Sequence, residues 1–251
     1  MDKKNLLIYN ILNWHYNNNI TFIFPFNELI TSNKKSKLDI NLSKNEQDVS
    51  ISKSTIVSNK VNASTLKDLE NKLENFEGCA LKKTASNLVF SDGNNKSKVM
   101  LLGEAPGEEE DKTGKPFKGQ AGMLLDKMLN AIGQNRNNTY ISNIIFWRPP
   151  GNRNPTEEEI EICLPFVLRH IELVNPKILI LAGAIAAKTI LKQNKGIIQL
   201  RGNWFDLKIS ETVNIKTMPI FHPAFLLRQP IRKREAWEDL KKIKTEIDLI
   251  T

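Results

Sequence analysis

The sequence predicts an α/β fold: a three-layer α/β/α arrangement around a central four-stranded parallel sheet. Two observations carry this. Four short apolar runs alternate with stretches of helical spacing from about Ser64 onward, and that alternation is the pattern of a parallel sheet covered on both faces. The residues best suited to chemistry follow the ends of those runs, where ligands bind in open α/β sheets.

The elements read in order as follows. Ser64–Phe76 carries Leu66, Leu69 and Leu73 at helical spacing, with Ser64 or Thr65 as the cap. Lys98–Leu102 is a short apolar run ending in a glycine-rich turn, a buried strand. Ala121–Ile132 is a helix and Tyr140–Phe146 a second strand. Thr156 opens the next helix, with Glu159 three residues on completing a capping box, and that helix ends near Val174. Lys177–Leu181 is the third strand, Ala184–Leu191 a helix, and Lys216–Phe221 the fourth strand. A last helix runs from Arg232 towards Asp248.

Upstream the character differs. Residues 1–17 have the spacing of a short helix, and TFIFPF at 21–26 is an apolar run broken by Pro25. Residues 31–63 are Ser, Asn, Lys and Asp without a steady period, which predicts a mobile linker. The expected division is therefore a partly disordered N-terminal extension over 1–63 and a folded domain over 64–251.

Bulk properties narrow the function. The 251 residues include 36 Lys+Arg against 28 Asp+Glu, a formal charge of +8, and such a balance favours polyanionic partners. No apolar run approaches the roughly 18–20 residues of a membrane helix, and the N-terminus lacks the features of a signal peptide. Two cysteines, Cys79 and Cys163, make no disulfide framework and point to a reducing compartment, hence a cytoplasmic protein.

Three segments carry chemistry. GEAPGEEEDKTGKPFKGQAGMLLD, Gly103–Asp126, has glycines that allow tight turns and close approach to a ligand. It lacks the Gly-Lys-Ser/Thr ending of a phosphate loop, and its acids at Glu108–Asp111 argue against a phosphate cradle. SNIIFWRPPGNRNP, Ser142–Pro155, places Asn143 in an apolar strand, where an unmet amide costs about 1–3 kcal/mol. Arg148 and Arg153 follow in a stiff loop suited to phosphates. HPAFLLRQPIRKREAW, His222–Trp237, displays His222 at a strand end, then an apolar wedge at Leu226 and Leu227 beside Arg228, then basic Arg232, Lys233 and Arg234. Each segment alone also has a bland reading: a connector loop, a structurally bonded Asn, a structural His.

Together, in this order, the three segments resemble the family 4 uracil-DNA glycosylases. The matching motifs stand at Gly103–Leu125, Asn143–Arg153 and His222–Arg228, and the resemblance covers roughly Leu73 to Ile247. It implies a uracil-DNA glycosylase-like fold and a monofunctional, monomeric base-excision repair enzyme. Its substrate would be uracil-containing DNA and its products free uracil and an abasic site. It implies Glu104 and His222 as catalytic residues, with Ala105, Glu110, Phe117 and Asn143 binding the flipped base. Glu110 would exclude the thymine methyl. Arg148, Arg153, Leu226, Leu227 and Arg228 would contact DNA.

One departure stands out. The family holds a [4Fe–4S] cluster on four cysteines, and such clusters need all four. Here the Cys-x-x-Cys position reads Phe76-Glu77-Gly78-Cys79, Trp147 stands before the RPP motif, and only Cys79 and Cys163 remain. The expectation is no cofactor and no metal, with Phe76 and Trp147 filling the former cluster site. The alternatives are a non-catalytic or a covalent uracil-DNA-binding protein of the same fold. The intact Glu104, Phe117, Asn143 and His222 argue against the first. The absence of His from Trp147–Pro155 argues against the second. A nucleotide-binding α/β domain would need the phosphate loop that is missing.

Overall fold

The computed structural model, which describes residues 61–210 and 213–250, sets the four expected strands side by side and parallel. They are β2 (Val99–Gly103), β3 (Tyr140–Asn143), β4 (Ile178–Ala182) and β6 (Asn214–Ile220). Two further strands close the edges, each antiparallel to its neighbour: β1 (Asp92–Gly93) on β3 and β5 (Phe205–Lys208) on β6. The sheet order is β1-β3-β2-β4-β6-β5. The expected helix over 1–17, the apolar run at 21–26 and the linker up to residue 60 lie outside the described residues.

Eight α-helices stand among the described residues: α1 (Leu66–Glu74), α2 (Glu108–Thr113), α3 (Gln120–Asn130), α4 (Glu157–Val174), α5 (Ala184–Leu191), α6 (Ile197–Leu200), α7 (Pro223–Arg228) and α8 (Lys233–Ile250). The caps follow the sequence. Thr65 accepts from the Asp68 N–H at 3.1 Å, and Thr156 and Glu159 form the reciprocal capping box of α4. Asn175 ends α4 in the left-handed conformation, a role short amide side chains tolerate. The second strand is shorter than expected. Ile144 and Ile145 leave the ladder, yet their N–H groups still bond the Gly103 and Glu104 carbonyls at 3.0 Å.

Every residue of β2 and β4 is buried, as a strand covered on both faces must be. Their side chains alternate between two cores. Met100, Leu102, Leu179 and Leu181 face Leu69, Leu73, Val167, Ile171 and Ile190 from α1, α4 and α5. Val99, Leu101, Ile178 and Ile180 face Leu125, Leu129, Leu240 and Ile243 from α3 and α8. The period-2 alternation of the strands thus builds the three layers.

The second layer carries one buried ion pair near the carboxyl end of β6. Asp239 is 1% exposed and takes a forked bond from Arg201, at 2.7 Å from Nε and 2.5 Å from Nη2. Arg201 also donates to the Glu235 carbonyl and lies 5.1 Å over the Phe221 ring. It therefore ties α8 to the residue preceding His222. Replacing Arg201 by Met leaves a buried carboxylate unpaired and is expected to cost about 3–5 kcal/mol in urea unfolding. The double replacement Arg201→Met/Asp239→Leu should recover most of that loss. A double variant no more stable than the single one would show that the pair does not act this way.

Candidate active site

The parallel register pairs Gly103 with Asn143, so the ends of β2 and β3 deliver the first two segments to one place. Gly103 works there by having no side chain. A Cβ would lie 2.4 Å from Asn143 Oδ1 and 2.5 Å from the Phe117 ring. The third segment arrives from the end of β6. His222 caps α7, and its Nδ1 accepts from the Ala224 N–H at 3.1 Å. With Nδ1 accepting, the proton of the neutral ring sits on Nε2. The Phe117 and His222 rings stack at 5.6 Å.

Phe117, Asn143 and His222 line a cavity of about 560 Å³ together with Glu104, Ala105, Glu110 and Arg228. That volume suits a small ligand. Asn143 is 2% exposed, and among the described residues its amide makes no hydrogen bond. The amide opens onto the cavity, where a ligand can reach it. Burial holds the His222 imidazole down at about 4, with Arg228 pushing the same way and Glu110 opposing. Burial lifts the Glu104 carboxyl above its usual range, with Arg228 opposing. The cavity thus holds a neutral N–H donor, a carboxylate of raised basicity, an unpaired amide and an aromatic ring.

Glu110 also does local work. It lies in α2, where its carboxylate accepts from the N–H groups of Gly107 (3.0 Å), Lys118 (2.7 Å) and Gly119 (2.8 Å). It clamps the start of the loop to its end. The neighbouring Asp111 is buried and accepts from the Ser86 and Asn87 N–H groups. The acidic run that reads as a solvated loop is a helix whose inner acids satisfy backbone donors.

The remaining expected residues do not line the cavity. Arg148 donates to Asn152 at 2.7 Å. Arg153 forks onto Glu159 at 2.6 and 2.9 Å, bracing the loop against the first turn of α4. The expected Leu226–Leu227 wedge divides: Leu226 is 1% exposed and packs in the second core, while Leu227 is 40% exposed. Of the two, only Leu227 reaches the surface. Gly183, Phe221 and Phe225 line the cavity without having been singled out from sequence. Gly183 adopts φ +99°, and a Cβ there would lie 3.1 Å from that of His222. It directly follows β4, so applying the strand-end rule to all four parallel strands finds it.

Cys79 and Cys163 are free thiols, each 1% exposed. The interaction of the two thiols sets Cys79 below its ordinary range and, together with burial, Cys163 above. Phe76 packs 4.9 Å from Phe166, and Trp147 is 2% exposed in an edge-on contact with Phe146. All belong to the first core or pack against it. Among the described residues no group of three or more His, Cys, Asp or Glu could hold a metal. This donor set does not fit a four-thiolate cluster. No described helix is long and apolar enough to cross a membrane.

The family model of the uracil DNA glycosylase superfamily matches residues 90–241. The type-4 uracil-DNA glycosylase of Thermotoga maritima is 41% identical over 172 residues, which are 67% of this chain and 88% of that protein. Those of Archaeoglobus fulgidus and Saccharolobus solfataricus are 36% and 39% identical, over 71% and 66% of this chain and 92% and 79% of theirs. The matched residues take in the ends of β2, β3 and β6 and all three segments that meet at the cavity. With the site's geometry and this extent of identity in agreement, the chain belongs to the uracil DNA glycosylase superfamily, in its type-4 family.

Proposed function

We propose that this chain is a monofunctional uracil-DNA glycosylase, hydrolysing the N-glycosidic bond of deoxyuridine in DNA to release uracil and leave an abasic site. The observation that carries the reading is the Asn143 amide facing one cavity with Glu104, Phe117 and His222. One amide accepts from uracil N3–H and donates to O4. Cytosine offers the opposite pattern at both atoms, so its entry leaves buried polar groups unpaired, a strong basis for rejection.

The base must leave the duplex to reach the cavity. Leu227 is exposed for the vacated space, and Arg228 stands beside it at the cavity rim. Phe117 faces the base plane, and Glu110 walls the edge where thymine carries its methyl. Glu104 takes a proton from water as the water oxygen bonds to the sugar C1′. The C1′–N1 bond breaks, and its electron pair moves onto uracil N1 and O2. The His222 Nε2–H donates to O2 as that charge grows, and the backbone near Ala105 flanks the same edge. The net positive charge and Arg148 favour the DNA backbone, whereas Arg153 contributes by bracing the loop. We place the activity in residues 64–251.

We further propose that the protein works without an iron–sulfur cluster. Four thiolates hold such a cluster, and here Phe76, Trp147 and the free thiols of Cys79 and Cys163 pack in one apolar core instead. Iron and acid-labile sulfide measured on anaerobically purified protein should both be absent, and one cluster per chain would refute this.

Two more outcomes test the site. His222→Ala and Asn143→Ala should each slow single-turnover uracil release by about 100-fold or more while leaving DNA binding intact. Assays on U:G, U:A, single-stranded U and T:G oligonucleotides should show release from the uracil substrates only. Wild-type rates in both folded variants would remove the assignment. The pH profile follows from the protonation states. Glu104 acts ionised, so the rate should rise with pH through an inflection above the ordinary 4.5, and Glu104→Gln should abolish that limb. No inflection should appear near 6.5, because His222 stays neutral down to about 4.

A further inference from the structure

Phe117 has φ +56°, a left-handed conformation that is uncommon for a bulky non-glycine residue and persists only where its surroundings impose it. The surroundings act from two sides. After Phe117, the N–H groups of Lys118 and Gly119 are held by Glu110. At Phe117 itself, the carbonyl accepts from Arg136 Nη2 at 2.5 Å, and the carbonyl of Pro116 accepts from Nη1 at 3.0 Å. Gly122 permits the close approach of α3, since a Cβ there would lie 1.8 Å from the Phe117 carbonyl oxygen.

Arg136 lies outside the cavity, in the turn between α3 and β3. Its guanidinium is itself fixed by two carboxylates. Nε donates to Asp126 at 2.9 Å and Nη1 to Asp92 at 2.7 Å. Lys118 and Arg136 hold the Asp92 carboxyl below its usual range against the opposing effect of burial. One planar fork therefore joins β1, α3 and the backbone of the residue whose ring contacts Gly103 and His222. A lysine offers one compact charge and cannot make these divergent bonds.

We propose that Arg136 is a positioning residue for uracil excision: it grips the carbonyls of Pro116 and Phe117 and so aims the Phe117 ring at the flipped base. This rests on reading the cavity as a uracil site. A ring displaced by about 1 Å costs on the order of 100-fold in rate, so distance from the chemistry does not make the clamp dispensable.

The test is a double-mutant cycle on the full chain, read by steady-state and single-turnover excision from a uracil-containing oligonucleotide. Arg136→Lys is expected to lower kcat by about 10- to 100-fold with KM unchanged, the split that marks an effect confined to the transition state. Phe117→Ala alone should be slow, and Arg136→Lys added to it should slow it no further, because the two act through one ring. Asp126→Asn weakens the hold on Nε and the longer 3.5 Å contact to Nη2 while leaving the Asp92 bond, and should give a smaller loss of the same kind. It carries the same cycle if Arg136→Lys does not fold. Arg136→Lys at the wild-type rate, or losses that multiply in the double variant, would overturn the proposal. A wild-type chain that releases no uracil overturns the reading of the cavity instead, so the two failures are told apart.

Discussion

The pairing of β2 with β3, which sets Gly103 against Asn143, is the contact on which the site depends. Because side chains alternate along a strand, a slip of one residue would turn Asn143 away and put Ser142 or Ile144 in its place. The register is secured by burial on both faces: Leu101 and Ile141 are fully buried in one core, and Met100 and Leu102 in the other. The hydrophobic cores thus do more than stabilise the domain. They fix the position of an amide that opens onto the cavity. The absent side chain at Gly103 then brings Phe117 within contact of the same spot.

One cation organises the protonation states around that spot. Arg228 lines the cavity and acts on both titrating groups. It opposes protonation of His222, adding to burial, and it favours the ionised form of Glu104, working against burial. A neutral imidazole and an ionised carboxylate are the pair that the proposed chemistry needs. Burial alone would favour neutral forms of both groups. The charge of Arg228 adds to the first effect and offsets part of the second, and its exposed position leaves the same group open to a phosphate.

The central strands were legible because each is a continuous apolar run buried on both faces. The edges were not. β1 is two residues long, and β5, FDLK, alternates half-buried with exposed residues, so neither stands out from loop sequence. Helix α2 was hidden for a related reason: EEEDKT has no apolar period, and what holds it is the carboxylates of Glu110 and Asp111 on distant backbone N–H groups. Glu104, Phe117, Asn143 and His222 were legible through their motifs, and the structure brings all four to one cavity. Which of Leu226 and Leu227 faces out depends on the rotation of a six-residue helix, and two adjacent leucines do not encode it. Arg136 carried no signal, since a single charged residue between a helix and a strand is ordinary until its partners are known.

The two cysteines sit on the opposite side of this logic. Cys79, Cys163, Phe146 and Trp147 belong to the first core, beneath α4, whereas Phe117 and Leu226 pack in the second. The link from one to the other is short. Trp147 lies four residues beyond Asn143, and every residue from Tyr140 to Trp147 is buried. Whatever fills the space around Cys79 and Cys163 therefore bears on how firmly the end of β3 is held. An empty hole there would cost stability in proportion to its volume, and the Asn143 amide would be the first functional group to lose its place. Large aromatic side chains answer both demands at once. They fill volume, and they make tilted and edge-on contacts with Phe166 and Phe146 that restrict motion. On the proposed reading such a brace would need no thiolate ligands, and its contribution would be the rigidity of a strand end, which dry packing supplies by the contacts it makes.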